Sequence, residues 1–171
     1  MQVFNITNPA APTLVGSITT DFQPISVAVS GSFAYVTSFY SHRLQVFNIS
    51  NPAALTLASS ISTGTRPHSV AVSGPFAYVV NAASNTLQIF NVSTPAAPIL
   101  AGSISTDAYP YSVAVSGSFA SVVNWTSSTL QVFNVSNPSA PTLGGSIATQ
   151  TQPVAVAVSG SFVYATSNDL N

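Results

Sequence analysis

The chain has 171 residues, of which 46% are hydrophobic and only 3% charged, with two arginines, three aspartates, no lysine, no glutamate, no cysteine and a formal net charge of −1. Without cysteine, a disulfide framework and a thiolate metal site are both excluded. With no basic patch to neutralise phosphates, nucleic acid is not an expected partner. Ser, Thr, Asn, Pro or Gly breaks every apolar run well short of the roughly 20 residues that a membrane helix needs, so no bilayer span is expected. The chain opens directly in repeat sequence, and a secretory signal is expected to have been removed or to lie outside it.

A 43-residue unit recurs in register at 2–44, 45–87, 88–130 and 131–171, the last copy being two residues shorter. A period near 40–45 with several short strands per unit points to propeller blades. Taken in chain order, the first unit opens on the second half of a blade, strands C and D within residues 1–20. Strand A follows at 26–30 (SVAVS), ended by Gly31, and strand B at 33–37. Strand C comes next at 44–49, then strand D at 55–63 after the Asn51-Pro52 turn. Each shows period-two alternation of β-branched or aromatic residues with small or polar ones, which is sheet chemistry. Small Ala and Ser on strand A suit an innermost strand, and Phe4, Phe47, Phe90 and Phe133 of strand C are expected to fill the space between blades. No helical period occurs. The fold class read from this pattern is all-β, a propeller-type array of four 43-residue, four-stranded units forming a single domain over 1–171, with one blade split between the chain ends.

The units resemble those of the LVIVD-repeat and YVTN-type β-propellers. Gln45 through Pro52 match that family's strand C–turn pattern, and Pro67, Val70, Ala71, Val72, Ser73 and Gly74 match its strand A pattern P-x-x-V-A-V-s-G. The resemblance covers the whole chain and implies the propeller architecture and a secreted or cell-surface module. One departure recurs: where the family carries Asp, this chain has Asn5, Asn48, Asn91 and Asn134.

Because the chain starts with strands C and D and closes with strands A and B, each half-blade carries an open edge. Three completions are open: a four-bladed ring within one chain, an eight-bladed ring of two chains, or head-to-tail pairing into a filament. A homo-oligomer or filament through the complementary half-blades is the expected partner arrangement.

Comparison of the copies with one another shows which loops vary. The A–B and C–D turns barely change, whereas the D–A and B–C connections differ in every copy and emerge on one face of a blade. That face carries Asp21, Phe22, Phe39, Tyr40, His42, Arg43, Arg66, His68, Asp107, Tyr109, Tyr111, Trp125 and Asp169. Aromatic groups beside a few charges on variable loops suit recognition. The ligand-face candidates are Phe22, Tyr40, His42, Arg43, Arg66, His68, Tyr109, Tyr111 and Trp125, with a saccharide or another protein as ligand. Catalysis lacks its parts: the aspartates fall on three blades rather than as the close pair a glycosidase needs, and neither histidine stands in a triad pattern. No catalytic residue, cofactor or metal site is expected.

The N-x-[ST] sequon occurs at Asn5, Asn48, Asn91 and Asn134, once per unit at the C–D turn, and at Asn124 on the variable face. Asn and Ser also favour turns for reasons of local hydrogen bonding. Attached glycans would hydrate a surface that has almost no charge. The functional expectation is a non-enzymatic extracellular or cell-surface structural and interaction module, glycosylated and self-assembling, with a glycan-binding lectin as its rival.

Overall fold

The computed structural model describes residues 1–168 and is all-β. The first half-blade is β1 (Gln2–Asn5) and β2 (Thr13–Ser17). Three complete blades follow: β3 (Pro24–Ser30), β4 (Phe33–Ser38), β5 (Arg43–Asn48) and β6 (Thr56–Ser62); then β7 (Pro67–Ser73), β8 (Phe76–Asn81), β9 (Thr86–Asn91) and β10 (Ile99–Ser105); then β11 (Pro110–Ser116), β12 (Phe119–Asn124), β13 (Thr129–Asn134) and β14 (Thr142–Ala148). The closing half-blade is β15 (Pro153–Ser159) and β16 (Phe162–Ser167). Each complete blade is an antiparallel meander in the order A-B-C-D. The strand limits read from the sequence move by at most two residues, because the alternation stops where the turn residues begin.

Local chemistry explains the blade. Every strand A starts on proline (Pro24, Pro67, Pro110, Pro153), whose missing N–H is tolerated at a strand's first residue. Each A–B hairpin closes through a two-residue loop; the first pairs Ser30 with Phe33. The leading residue of that loop has φ between 54° and 57° and is always glycine (Gly31, Gly74, Gly117, Gly160), which carries no Cβ to clash.

The A strands line the inside, with β7 packed on β3, β11 on β7 and β15 on β11. The serine of one A strand accepts a hydrogen bond from the next: Val70 N–H donates to Ser26 Oγ (3.2 Å), Val113 N–H to Ser69 Oγ (3.4 Å) and Val156 N–H to Ser112 Oγ (3.3 Å). Hence small, polar serine belongs there. The core lies between blades. Phe90 and Val92 of one blade share a cluster with Tyr35, Leu44 and Val46 of the preceding blade, and Phe133 and Val135 stand in the same relation to Tyr78, Leu87 and Ile89. Phe47, Phe90 and Phe133 are all fully buried.

The half-blades do not pair with each other within the chain: β1–β2 and β15–β16 remain separate two-stranded sheets. Their apolar residues are correspondingly bare. Phe4 is 52% exposed where Phe47 is 0%, and Tyr164 is 58% exposed where Tyr35 is 3%.

Interblade burial makes a direct prediction. Phe90→Ala removes a fully buried ring and should lower unfolding free energy by about 3–5 kcal/mol. Ile99→Ala, on the outer strand and 61% exposed, should cost less than about 1 kcal/mol. Urea unfolding monitored by circular dichroism measures both.

Candidate functional site

The D–A and B–C connections meet on one face, and their path is held by two repeated hydrogen bonds. In the first, the glutamine of strand C accepts from the backbone of its own blade's D–A connection: Asp21 N–H donates to Gln45 Oε1 (2.8 Å), Gly64 N–H to Gln88 Oε1 (2.8 Å) and Asp107 N–H to Gln131 Oε1 (2.9 Å). In the second, a B–C side chain accepts from the next blade's D–A backbone. Arg66 N–H donates to His42 Nδ1 (3.0 Å), Tyr109 N–H to Asn85 Oδ1 (2.9 Å) and Gln152 N–H to Ser128 Oγ (3.3 Å). Both members of each interblade pair have φ between 51° and 59°, an uncommon conformation for residues other than glycine, so the loops are sharply bent at defined points. The glutamines were absent from the sequence-based site; their invariance across the four copies was the signal for them.

On this frame the aromatic candidates form one continuous row. Phe22 stacks on Tyr40 (centroids 5.9 Å apart, 22° between planes), and Tyr40 meets Phe39 edge-on at 5.0 Å. Phe39 meets His68 at 5.9 Å, and His68 lies 3.7 Å from Tyr111 and 6.5 Å from Tyr109. Tyr109 continues to Trp125 at 5.7 Å. The Arg66 guanidinium sits 5.6 Å above the Phe39 ring, a cation–π arrangement. Phe22 and Tyr40 are exposed, and the other rings of the row half-buried. At its far end Tyr109, Tyr111 and Trp125, with Val154 and Asn168, line a cleft of about 310 Å³.

Two candidates stand outside the row. His42 serves the interblade hydrogen bond, and the exposed Arg43 donates to Ser60 Oγ (3.2 Å) on the outer strand β6. Asp107 accepts from Thr129 Oγ1 (2.7 Å). Asp169 lies outside the described residues. Among the described residues, no three of His, Cys, Asp and Glu stand together as metal ligands.

The sequons divide into two kinds. At the C–D turns the asparagine oxygen caps the turn, accepting from the backbone two residues on: Thr7 N–H to Asn5 (2.8 Å), Ser50 to Asn48 (2.9 Å), Ser93 to Asn91 (2.9 Å) and Ser136 to Asn134 (3.0 Å). Asn124 is a correction. It is fully buried, and its Nδ2 donates to Thr129 Oγ1 (3.1 Å) and Gln131 Oε1 (3.2 Å), so the nitrogen that would carry a sugar is enclosed. Asn81 occupies the same place one blade earlier.

This chain belongs to the LVIVD repeat family, which matches residues 2–20, 25–63, 66–106 and 109–149. No curated protein matches it. Among solved structures it is similar to the computationally designed Ika4 protein at 10% identity, covering 88% of each chain with a TM-score of 0.74. A protein from Lactobacillus plantarum is 16% identical, with 93% of this chain and 52% of that one covered and a TM-score of 0.79. The periplasmic gluconolactonase PpgL of Pseudomonas aeruginosa is 21% identical, with 84% and 42% covered and a TM-score of 0.70. The chain thus spans about half the length of these two bacterial proteins, and the likeness is one of fold.

His68 gives the row a pH signature. The Tyr111 carbonyl can only accept, so the 2.8 Å contact places the proton on Nδ1 of a neutral ring. Burial pushes the His68 pKa below the ordinary imidazole value, and the bond to the Tyr111 carbonyl opposes that in part. The unfolded chain therefore takes up the proton first. Stability should be fully present above about pH 6.5 and fall as pH drops below it towards the depressed folded-state pKa. His68→Phe should flatten the dependence in that window, as measured by thermal melts across pH 4.5–8.

Proposed function

We propose that the protein is a non-enzymatic interaction module of the extracellular space or cell surface, binding a neutral saccharide on the face formed by the D–A and B–C connections. The observation carrying this reading is the aromatic row that ends in the 310 Å³ cleft walled by Tyr109, Tyr111 and Trp125. A cleft of that size, apolar with a few polar edges, suits a small ligand. Sugar rings present C–H faces to aromatic planes and hydroxyls to polar rims. Two phenol groups and the Asn168 amide furnish such a rim, and the nearest cation, Arg66, is already placed over Phe39. The non-enzymatic part is supported by the scattered carboxylates. The lactonase name belongs to the Pseudomonas protein, and 21% identity carries fold alone.

Glycosylation at Asn5, Asn48, Asn91 and Asn134 is part of the proposal. Turn capping uses only the asparagine oxygen, which an aspartate would supply equally, so the turns do not account for the amide nitrogen. A sugar there would hydrate a chain with 3% charged residues and occupy the C–D corners, opposite the aromatic row.

Two measurements decide these points. On a glycan array the protein should bind a defined subset, and Trp125→Ala should weaken that binding at least tenfold with an unchanged melting curve. Silence of the intact protein on the array, or full retention by the variant, defeats the saccharide reading. Intact mass of the natively expressed chain, before and after deglycosylation, should show an excess over 17.5 kDa that the enzyme removes; a bare polypeptide mass ends the glycan part.

A further inference from the structure

At both junctions between complete blades the strand C phenylalanine of one blade is buried against strands B and C of the preceding blade, as Phe90 is against Tyr35 and Val46 and Phe133 against Tyr78 and Ile89. The flanks carry both members of one more such junction, unfilled. Phe4 on β1 is a ring without a seat, 52% exposed. Between the third blade and the closing half-blade lies a groove of about 260 Å³ whose walls include Ser121, Val132, Val158 and Val163. Adding one repeat to the Phe133 position seats its ring there: Val132 stands where Ile89 stands, Ser121 where Tyr78 stands, and Val163 is the neighbour that Ala120 is to Phe133.

The geometry points to a second copy of this chain as the occupant, docked head to tail, with β1–β2 of one copy completing the blade that β15–β16 of the other begins. Three independent features of the repeat agree. Strands B and C pair with Phe33 opposite Asn48 and Tyr35 opposite Val46, so β1 beside β16 sets Asn5 opposite Phe162 and Val3 opposite Tyr164. That places the exposed Tyr164 (58%) in the setting where Tyr35 and Tyr78 are covered, and Phe162 (67%) where Phe33 and Phe76 are half-buried. Gln2 then occupies the place of Gln45 and accepts the Gln150 N–H of the other copy, as Gln45 accepts from Asp21. The arriving surface is thus the protein's own internal interface, extended by one step. The closing half-blade lends Val154 and Asn168 to the saccharide cleft, but no ring of the aromatic row belongs to the contact between β1 and β16, and cross-linking without any sugar tests this inference by itself. The contact is heterologous, and copies joined this way form a ring where the rotation closes and a filament where it does not.

The chain's lack of cysteine permits a clean test. Val3→Cys and Tyr164→Cys are made as separate single variants, mixed at micromolar concentration and oxidised with copper–phenanthroline. Directly opposed strand positions lie within disulfide reach. The mixture should give a cross-linked pair in at least tenfold higher yield than either variant alone, and the native mass of the unmodified protein should be a multiple of 17.5 kDa. Phe4→Arg should return the protein to one chain while keeping its β-sheet circular dichroism. Three results overturn the inference: equal cross-linking by one variant alone, an intramolecular disulfide at monomer mass in a further variant carrying both Val3→Cys and Tyr164→Cys, or no cross-link and a single-chain mass.

Discussion

A blade of this protein has nothing to fold around except the next blade. Each sheet is too thin to enclose a core, so the large side chains of strands B and C are hidden where a neighbouring blade closes over them, as Phe90 and Phe133 do for the preceding blades and Met1 and Ile18 of the first half-blade do for Phe47. Stability is therefore close to a sum of nearest-neighbour terms, as in other repeat architectures. The same constraint explains the flanks, since Phe4 and Tyr164 are no different from their buried equivalents except in lacking a neighbour. It also explains why the serines of strand A recur. They stand where adjacent inner strands approach and where each lends an oxygen to the next backbone.

The architecture was legible because the information was repeated four times. The alternation in SVAVS and FAYV, the invariant glycine of the A–B loop and the in-register period each point to the same blade, and the structure follows them. The variable face was legible for a similar reason, as the segments that differ among otherwise constant copies. What could not be read was how side chains from different loops would meet. Nothing local in the sequence says that Phe22 and Tyr40 stack while His42 turns aside to hold the Arg66 backbone. The sequon at Asn124 misled because the motif describes three consecutive residues, whereas burial of the amide is decided by Thr129 and Gln131 on the paired strand.

Near-absence of charge sets the character of the internal contacts. Blades are joined by apolar packing and by hydrogen bonds between neutral groups, neither of which is screened by salt as ion pairs are. The joints should therefore hold similarly across ionic strengths.

In the three bonds that tie a B–C connection to the next blade's D–A connection, the donor is a backbone N–H and the acceptor is any side chain with a suitable lone pair: imidazole in His42, amide in Asn85, hydroxyl in Ser128. The donor residue is free to be arginine, tyrosine or glutamine, because its side chain takes no part. Locking and display are thus assigned to different atoms of the same residue. Such a surface can be rewritten one side chain at a time while the closure beneath it stays fixed, which makes this face the part of the molecule where new specificity can arise without a cost to folding.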